Sequence, residues 1–123
     1  MTTRPITTTR GITCKVEVFD GGGDPVLAFH GVGGHLVGEP ALAALAERGY
    51  TVYAPVWPGF GDEPGEGLLE DMLDFALHGA DVGIALGLDR PHLYGHSFGG
   101  MIAAEMAAIA PSSYHGVGLV APA

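Results

Sequence analysis

The sequence has one cysteine, Cys14, and only five Lys and Arg among 123 residues. A lone thiol excludes an intrachain disulfide framework and gives no sign of an oxidising compartment. Five Lys and Arg against fourteen Asp and Glu leave a net charge of −9, which repels phosphate backbones and anionic lipid surfaces. Neither nucleic acid nor a membrane is therefore expected as a partner. No Lys or Arg occurs from Gly49 to Asp89, where Asp62, Glu63, Glu66, Glu70, Asp71, Asp74, Asp81 and Asp89 fall; such a run reads as a solvated, solubilising face. Long apolar runs are also lacking: Pro58, Pro111 and Pro122 break the weakly charged stretches, so none is long enough to span a bilayer. Residues 1–10, MTTRPITTTR, have no continuous apolar core and do not read as a signal peptide. A soluble cytoplasmic protein is the expectation.

What is present is small and apolar. Apolar residues make up 47%, with 21 glycines and 9 prolines, which suits one modest domain over 1–123 with an aliphatic core and many tight turns. There is no internal repeat and no linker. Residues 11–20 alternate Ile12, Cys14, Val16 and Val18 with Thr13, Lys15 and Glu17, as a half-buried strand does. After a turn at 21–25, residues 26–31 form a short continuous apolar run, expected of a strand buried on both faces. Residues 39–49 space Leu42, Leu45 and Ala46 helically and end at Gly49, a C-terminal helix cap. A second β-rich run covers 50–57 and is closed by the loop PGFGDEPGEG. From Leu68 to Leu88, Leu69, Met72, Leu73, Ala76, Ala80 and Ile84 keep a helical period. Residues 92–95 make a third short strand. Residues 98–110 are apolar almost all round and predict a buried helix, and one more strand lies within 114–123.

Alternating strands and helices predict an α/β fold, a mostly parallel sheet with helices on both faces. Right-handed crossovers would bring the loops HGVGGH, PGFGDEP and GHSF to one edge of it, where ligands of such sheets bind.

Two of these loops carry chemistry. GHSFG at 95–99 fits G-x-S-x-G with a short strand before it and a helix after it. A serine on so sharp a turn adopts a strained backbone that flanking glycines make room for, and its hydroxyl is lifted clear of the sheet. The helix that follows aims unpaired N–H groups and its positive dipole end at charge forming beside that hydroxyl. Ser97 is thus the candidate nucleophile rather than a small residue in an inert turn. HGVGG at 30–34 offers a second set of amides, and the N–H groups of Val32 and Phe98 are the candidate oxyanion donors. Glycine-rich turns also bind dinucleotides. That reading fails here: Leu36 stands where the fingerprint needs a third glycine or alanine, and the next strand closes on Val56, Trp57 and Pro58 without an acid. The chemistry calls for no cofactor and no metal.

HGVGG, PGFGDEP and GHSFGG occur in the order and at about the spacing of the H-G-x-G, P-G-x-G-x-S and G-x-S-x-G-G motifs of the α/β-hydrolase family, and the chain from about Val16 to Ala123 resembles the N-terminal half of that family. The resemblance implies an α/β-hydrolase fold cut off after about its sixth strand, Ser97 as nucleophile, and Val32 and Phe98 as oxyanion donors. It implies a serine-dependent hydrolase of a small carbonyl substrate such as an ester, thioester or lactone. Asp62 and Glu63 stand where family loops of the PGFG type continue to a serine. A serine at the elbow disfavours the epoxide hydrolase and dehalogenase branches.

Family members place the catalytic acid and histidine after later strands, and no residue here matches either. Among the six histidines only His35 lies on the expected edge as a substitute base; His30 belongs to the oxyanion motif, His96 adjoins Ser97, His78 lies on the long helix, and His92 and His115 stand at strand entrances. The alternative is a catalytically incomplete fragment or interaction module that keeps the elbow as a turn. The strand at Val117–Val120 would then present an open edge, with self-association as its consequence.

Overall fold

The structure, a computed structural model, describes residues 1–34 and 39–121. Its elements run β1 (Thr2–Thr7), β2 (Thr13–Phe19), β3 (Pro25–Phe29), α1 (Pro40–Glu47), β4 (Thr51–Pro55), α2 (Met72–Ala85), β5 (His92–His96), α3 (Phe98–Ile109), a 3₁₀ turn (Pro111–Ser113) and β6 (Val117–Val120). The strands form one sheet in the order β1-β2-β4-β3-β5-β6. Strands β4, β3, β5 and β6 are parallel neighbours, as expected of an α/β fold with a mostly parallel sheet.

Alternation along β3 shows why both faces are covered. Val26 and Ala28 point to the α1 side, where they pack with Leu42, Val52 and Ala54. Leu27 and Phe29 point the other way, to Trp57, Leu93 and the inner faces of α2 and α3. With both sides apolar, the strand reads as a continuous hydrophobic run. Val26, Leu27 and Phe29, taken out of water, each stabilise the fold by roughly 1.5–3 kcal/mol before entropy is counted. Helix α1 ends as its sequence suggests: Gly49 has φ +98° and donates to Ala46 O, while Tyr50 N–H reaches Leu45 O.

The sheet holds one strand beyond those expected, and several elements differ from expectation. The first ten residues hold strand β1, which pairs antiparallel with β2 through a turn closed by Thr8 and Ile12. Only Ile6 of β1 is even half-buried, so this edge strand has no apolar alternation to betray it. Strand β2 in turn runs antiparallel to β4, so its carboxyl end lies at the opposite edge from those of the parallel strands. Glu17 is also buried, because the carboxyl half of β2 is covered on both faces, whereas Thr13 and Lys15 on the same face as Glu17 stay exposed.

The long helix begins later and turns a different face inward. Asp71 caps it by accepting Asp74 N–H at 2.9 Å, leaving Leu68 to Glu70 outside. Its buried residues are Ala76, His78, Gly79, Val82 and Gly83, while Leu73 and Ile84 are exposed. Glycine decides the phase: a Cβ on Gly79 would stand 2.7 Å from Met106 Sδ and 3.0 Å from Phe29, so α2 approaches α3 and β3 through its hydrogen-only positions. Helix α3, uniformly apolar in sequence, buries only Gly99, Gly100, Ile102, Ala103 and Met106 and leaves Ile109 exposed. Val117, Leu119 and Val120 of β6 are likewise exposed. Among the described residues, no helix is long and apolar enough to cross a membrane.

Candidate active site

The loops after β3, β4 and β5 leave the parallel strands at one edge of the sheet. Ser97 occupies the single residue between β5 and α3, with φ 55° and ψ −118°. That conformation lies in the region that side chains with a Cβ rarely enter, and it costs of order 1–3 kcal/mol that the surroundings must hold. The surroundings hold it through the two flanking glycines. A Cβ on Gly95 would stand 2.6 Å from Gly100 Cα, and one on Gly99 would meet the Phe29 carbonyl and lie 2.6 Å from His30 O. Strand and helix therefore meet at backbone distance, and the serine is thrown outward, half-exposed.

The electrostatics of the turn follow from its position. Phe98 is the first residue of α3, so its N–H has no acceptor within the helix, and the Ser97 side chain does not cap it. Ser97 N–H itself donates to Val120 O at 3.1 Å, which ties the turn to β6. Among the described residues Ser97 Oγ makes no hydrogen bond, so nothing in this part of the fold competes for its lone pairs.

The HGVGG loop is pressed against this serine. A Cβ on Gly31 would lie 3.2 Å from Ser97 Cβ and 3.4 Å from His96 O. The loop is fixed from behind by His30, which is buried at 3% exposure. Its Nε2 accepts the backbone N–H of Trp57 at 3.0 Å, so Nδ1 carries the proton and donates to Gly31 O at 2.6 Å. Gly34 N–H donates to the same carbonyl at 3.0 Å. In a trans peptide the N–H opposes the carbonyl, so two bonds to Gly31 O orient the Val32 N–H away from the His30 ring. Trp57 Nε1–H closes the arrangement by donating to His30 O at 3.1 Å. Sequence reading placed His30 in the oxyanion motif and saw in Trp57 only the end of a strand. Their mutual bonding crosses from β3 to β4 and has no local signal.

The remaining candidates fall elsewhere. His35 lies outside the described residues. His96 is exposed and lines a concavity of about 340 Å³ on the α1 side, together with Phe29, Gly33, Glu39, Tyr94 and Val120. Burial, with help from Glu39, pushes the Tyr94 hydroxyl above its ordinary range. His92 and His115 are ring neighbours at 5.2 Å near the strand entrances, on the far edge. His78 is buried behind Trp57 with neither ring nitrogen hydrogen-bonded, and burial lowers it to about 4. Glu63, in the third loop, accepts Lys15 N–H at 2.8 Å and so braces that loop on β2. Among the described residues no group of three His, Cys, Asp or Glu is placed to hold a metal ion.

A family model described as the alpha/beta hydrolase fold matches residues 24–122, which include all three loops. Pimeloyl-[acyl-carrier protein] methyl ester esterase of Aeromonas hydrophila is 35% identical over 111 residues, 89% of this chain and 42% of that protein. Proline iminopeptidase of Heyndrickxia coagulans is 34% identical over 102 residues, 80% of this chain and 35% of that protein. Among solved structures, an alpha/beta hydrolase fold protein from Nakamurella multipartita superposes with a TM-score of 0.83 at 27% identity, over 98% of this chain and 41% of that one. The chain thus spans less than half the length of each of these relatives. With the strained turn at Ser97, the glycine loop packed against it and the family match across both, the chain belongs to the α/β hydrolase fold family.

Proposed function

We propose that Ser97 is the nucleophile of a hydrolase for a carbonyl substrate, with the N–H groups of Val32 and Phe98 as oxyanion donors. The observation that carries the reading is the Ser97 backbone, held at φ 55° where strand meets helix with Gly31 against its Cβ. In the reaction Ser97 Oγ bonds to the carbonyl carbon while its proton passes to a base. The tetrahedral oxyanion collapses by expelling the alcohol, thiol or amine, which takes up the proton, and water then hydrolyses the acyl-serine. Each oxyanion donor is worth about 3 kcal/mol in such a transition state. The names of the two relatives, an ester hydrolase and a peptidase, agree with a carbonyl substrate that is an ester or amide. A cytoplasmic setting fits the free Cys14.

The base is the open position. Without one, serine is a weak nucleophile, and removing the histidine of a catalytic triad costs on the order of 10⁶ in kcat. Residual acceleration of roughly 10³ to 10⁴ over water is expected from oxyanion donors and binding alone. The test is p-nitrophenyl acetate hydrolysis by the 123-residue chain beside Ser97→Ala and His35→Ala. Slow release that depends on Ser97 supports the reading; equal release by wild type and Ser97→Ala refutes it. An added loss in His35→Ala makes His35 the base.

A second reading, an interaction role, is favoured by β6. Its three large apolar residues are more than 40% exposed, and from Phe98 onward Glu105 is the only Asp, Glu, Lys or Arg. Such an edge can pair with a second copy without like-charge repulsion. Sedimentation decides: a concentration-dependent dimer supports it, and a monomer with strong amide protection throughout β6 excludes it.

A further inference from the structure

Four aromatic rings and a glycine close a circuit that begins and ends at Ser97, around a fifth ring, Trp57. Phe98 follows the serine directly, and its ring meets Phe75 edge-on at 5.1 Å. Phe75 lies 6.5 Å from Phe60, and Phe60 lies 5.3 Å from His30, both edge-on. His30 holds Gly31, and Gly31 abuts Ser97. Trp57 lies within the circuit, fully buried, at 5.2 Å from Phe75 and 6.4 Å from Phe98. Three different elements supply the phenyl rings: the loop after β4, the first turn of α2 and the first turn of α3. All three lie at the carboxyl edge of the sheet, and all three remain partly exposed while packing on the core. Phenyl rings left part-wet beside a nucleophile are poorly placed for polar substrates and well placed to cover apolar surface.

We propose that Phe75 and Phe98, seated on Trp57, together with Phe60 beside Phe75, form the surface that receives the apolar part of the substrate, so that Ser97 serves carbonyl compounds carrying an aryl or medium-length alkyl group rather than an acetyl group. The proposal rests on the reading of Ser97 as nucleophile. From Phe98 through Phe75 to Phe60 the circuit consists of phenyl rings, whereas the concavity on the α1 side mixes Glu39, Tyr94 and His96 with Ala28, Leu42 and Val120. The two sides of Ser97 therefore differ in chemistry, and the apolar group is assigned to the aromatic one.

Trp57 is the only tryptophan, so its fluorescence reports on this surface directly and needs no turnover. The probes are 4-phenylbutyramide and acetamide, both uncharged, titrated into the 123-residue chain. The expected result is a saturable change with 4-phenylbutyramide at a Kd at least 10-fold below that for acetamide. Phe75→Leu and Phe60→Leu should each raise that Kd at least 3-fold, and Ser97→Ala should leave it within 2-fold. Should Phe75→Leu fail to fold by far-UV circular dichroism, Phe60→Leu still decides, because Phe60 lies in a loop. Equal affinity for the two amides, or unchanged affinity in a folded Phe60→Leu, overturns the proposal. Failure of the nucleophile reading shows separately, as ester hydrolysis indifferent to Ser97→Ala with the amide affinities unchanged.

Discussion

His30 Nε2 accepts the backbone N–H of Trp57, and through its other nitrogen the same ring holds the carbonyl of Gly31. One imidazole thus joins the loops after β3 and β4 and sets the peptide that carries the Val32 N–H. His30→Ala should leave the buried Trp57 N–H unpaired, a loss of about 1–3 kcal/mol before the cavity is counted. Urea unfolding would measure it. If His30→Ala unfolds at the wild-type midpoint, the bracing role is wrong.

The glycines of the elbow make a sharper comparison. Gly99→Ala puts a methyl into the Phe29 carbonyl, and relief requires α3 to move off β3. A loss of about 3 kcal/mol or more is expected, or failure to fold. Gly33, with no described residue near its Cβ position and no positive φ, should accept alanine within about 0.5 kcal/mol. Equal losses at the two sites would contradict the close approach of strand and helix.

Acid should weaken the fold through His78. Burial holds it at about 4, below the 6.5 of an unhindered imidazole, with Asp81 opposing the shift and Arg10 adding to it. Between those values the unfolded chain binds the proton and the folded one does not. Stability from this group is complete above pH 6.5 and declines as pH falls toward 4, by at most ~1.4 kcal/mol per pH unit. His78→Leu removes two unpartnered buried nitrogens, so it should match or exceed wild type at pH 7 and lose this part of the slope. Unfolding curves from pH 7 to 4 that stay parallel for the two proteins would refute the assignment.

Cys14 should be inert while the fold lasts. It is 3% exposed in β2, and burial, then the charge of Glu63, pushes its thiol up to about 11. Little thiolate exists at pH 8. Ellman's reagent should react with it only after denaturation, and rapid reaction in native buffer would show that β2 is not packed as described.

The elbow was legible in the sequence because its requirements are local: a short apolar strand, Gly95 and Gly99 about Ser97, and an apolar helix at once after. The same holds for β3, whose burial on both faces shows as an unbroken apolar run. Strand β1 was not legible, since an edge strand with one half-buried residue leaves no period to detect. The inward face of α2 was misjudged because leucine and isoleucine outweigh glycine in any apolar pattern, whereas packing against Phe29 and Met106 selects Gly79 and Gly83 for the contact. The pairing of His30 with Trp57, and the approach of Phe60 to Phe75, depend on loops from different strands meeting at one edge. Spacing along the chain does not encode such meetings.

The central claim is that the fold, rather than the residue type, makes Ser97 a nucleophile, and phosphonylation tests it most directly. The folded chain is incubated with a fluorophosphonate, digested and mapped by mass spectrometry, with Ser97→Ala and the urea-unfolded chain alongside. The account predicts an adduct on Ser97 that is absent from both controls. Modification at other residues, or labelling of Ser97 no faster in the folded chain than in the unfolded one, would contradict it.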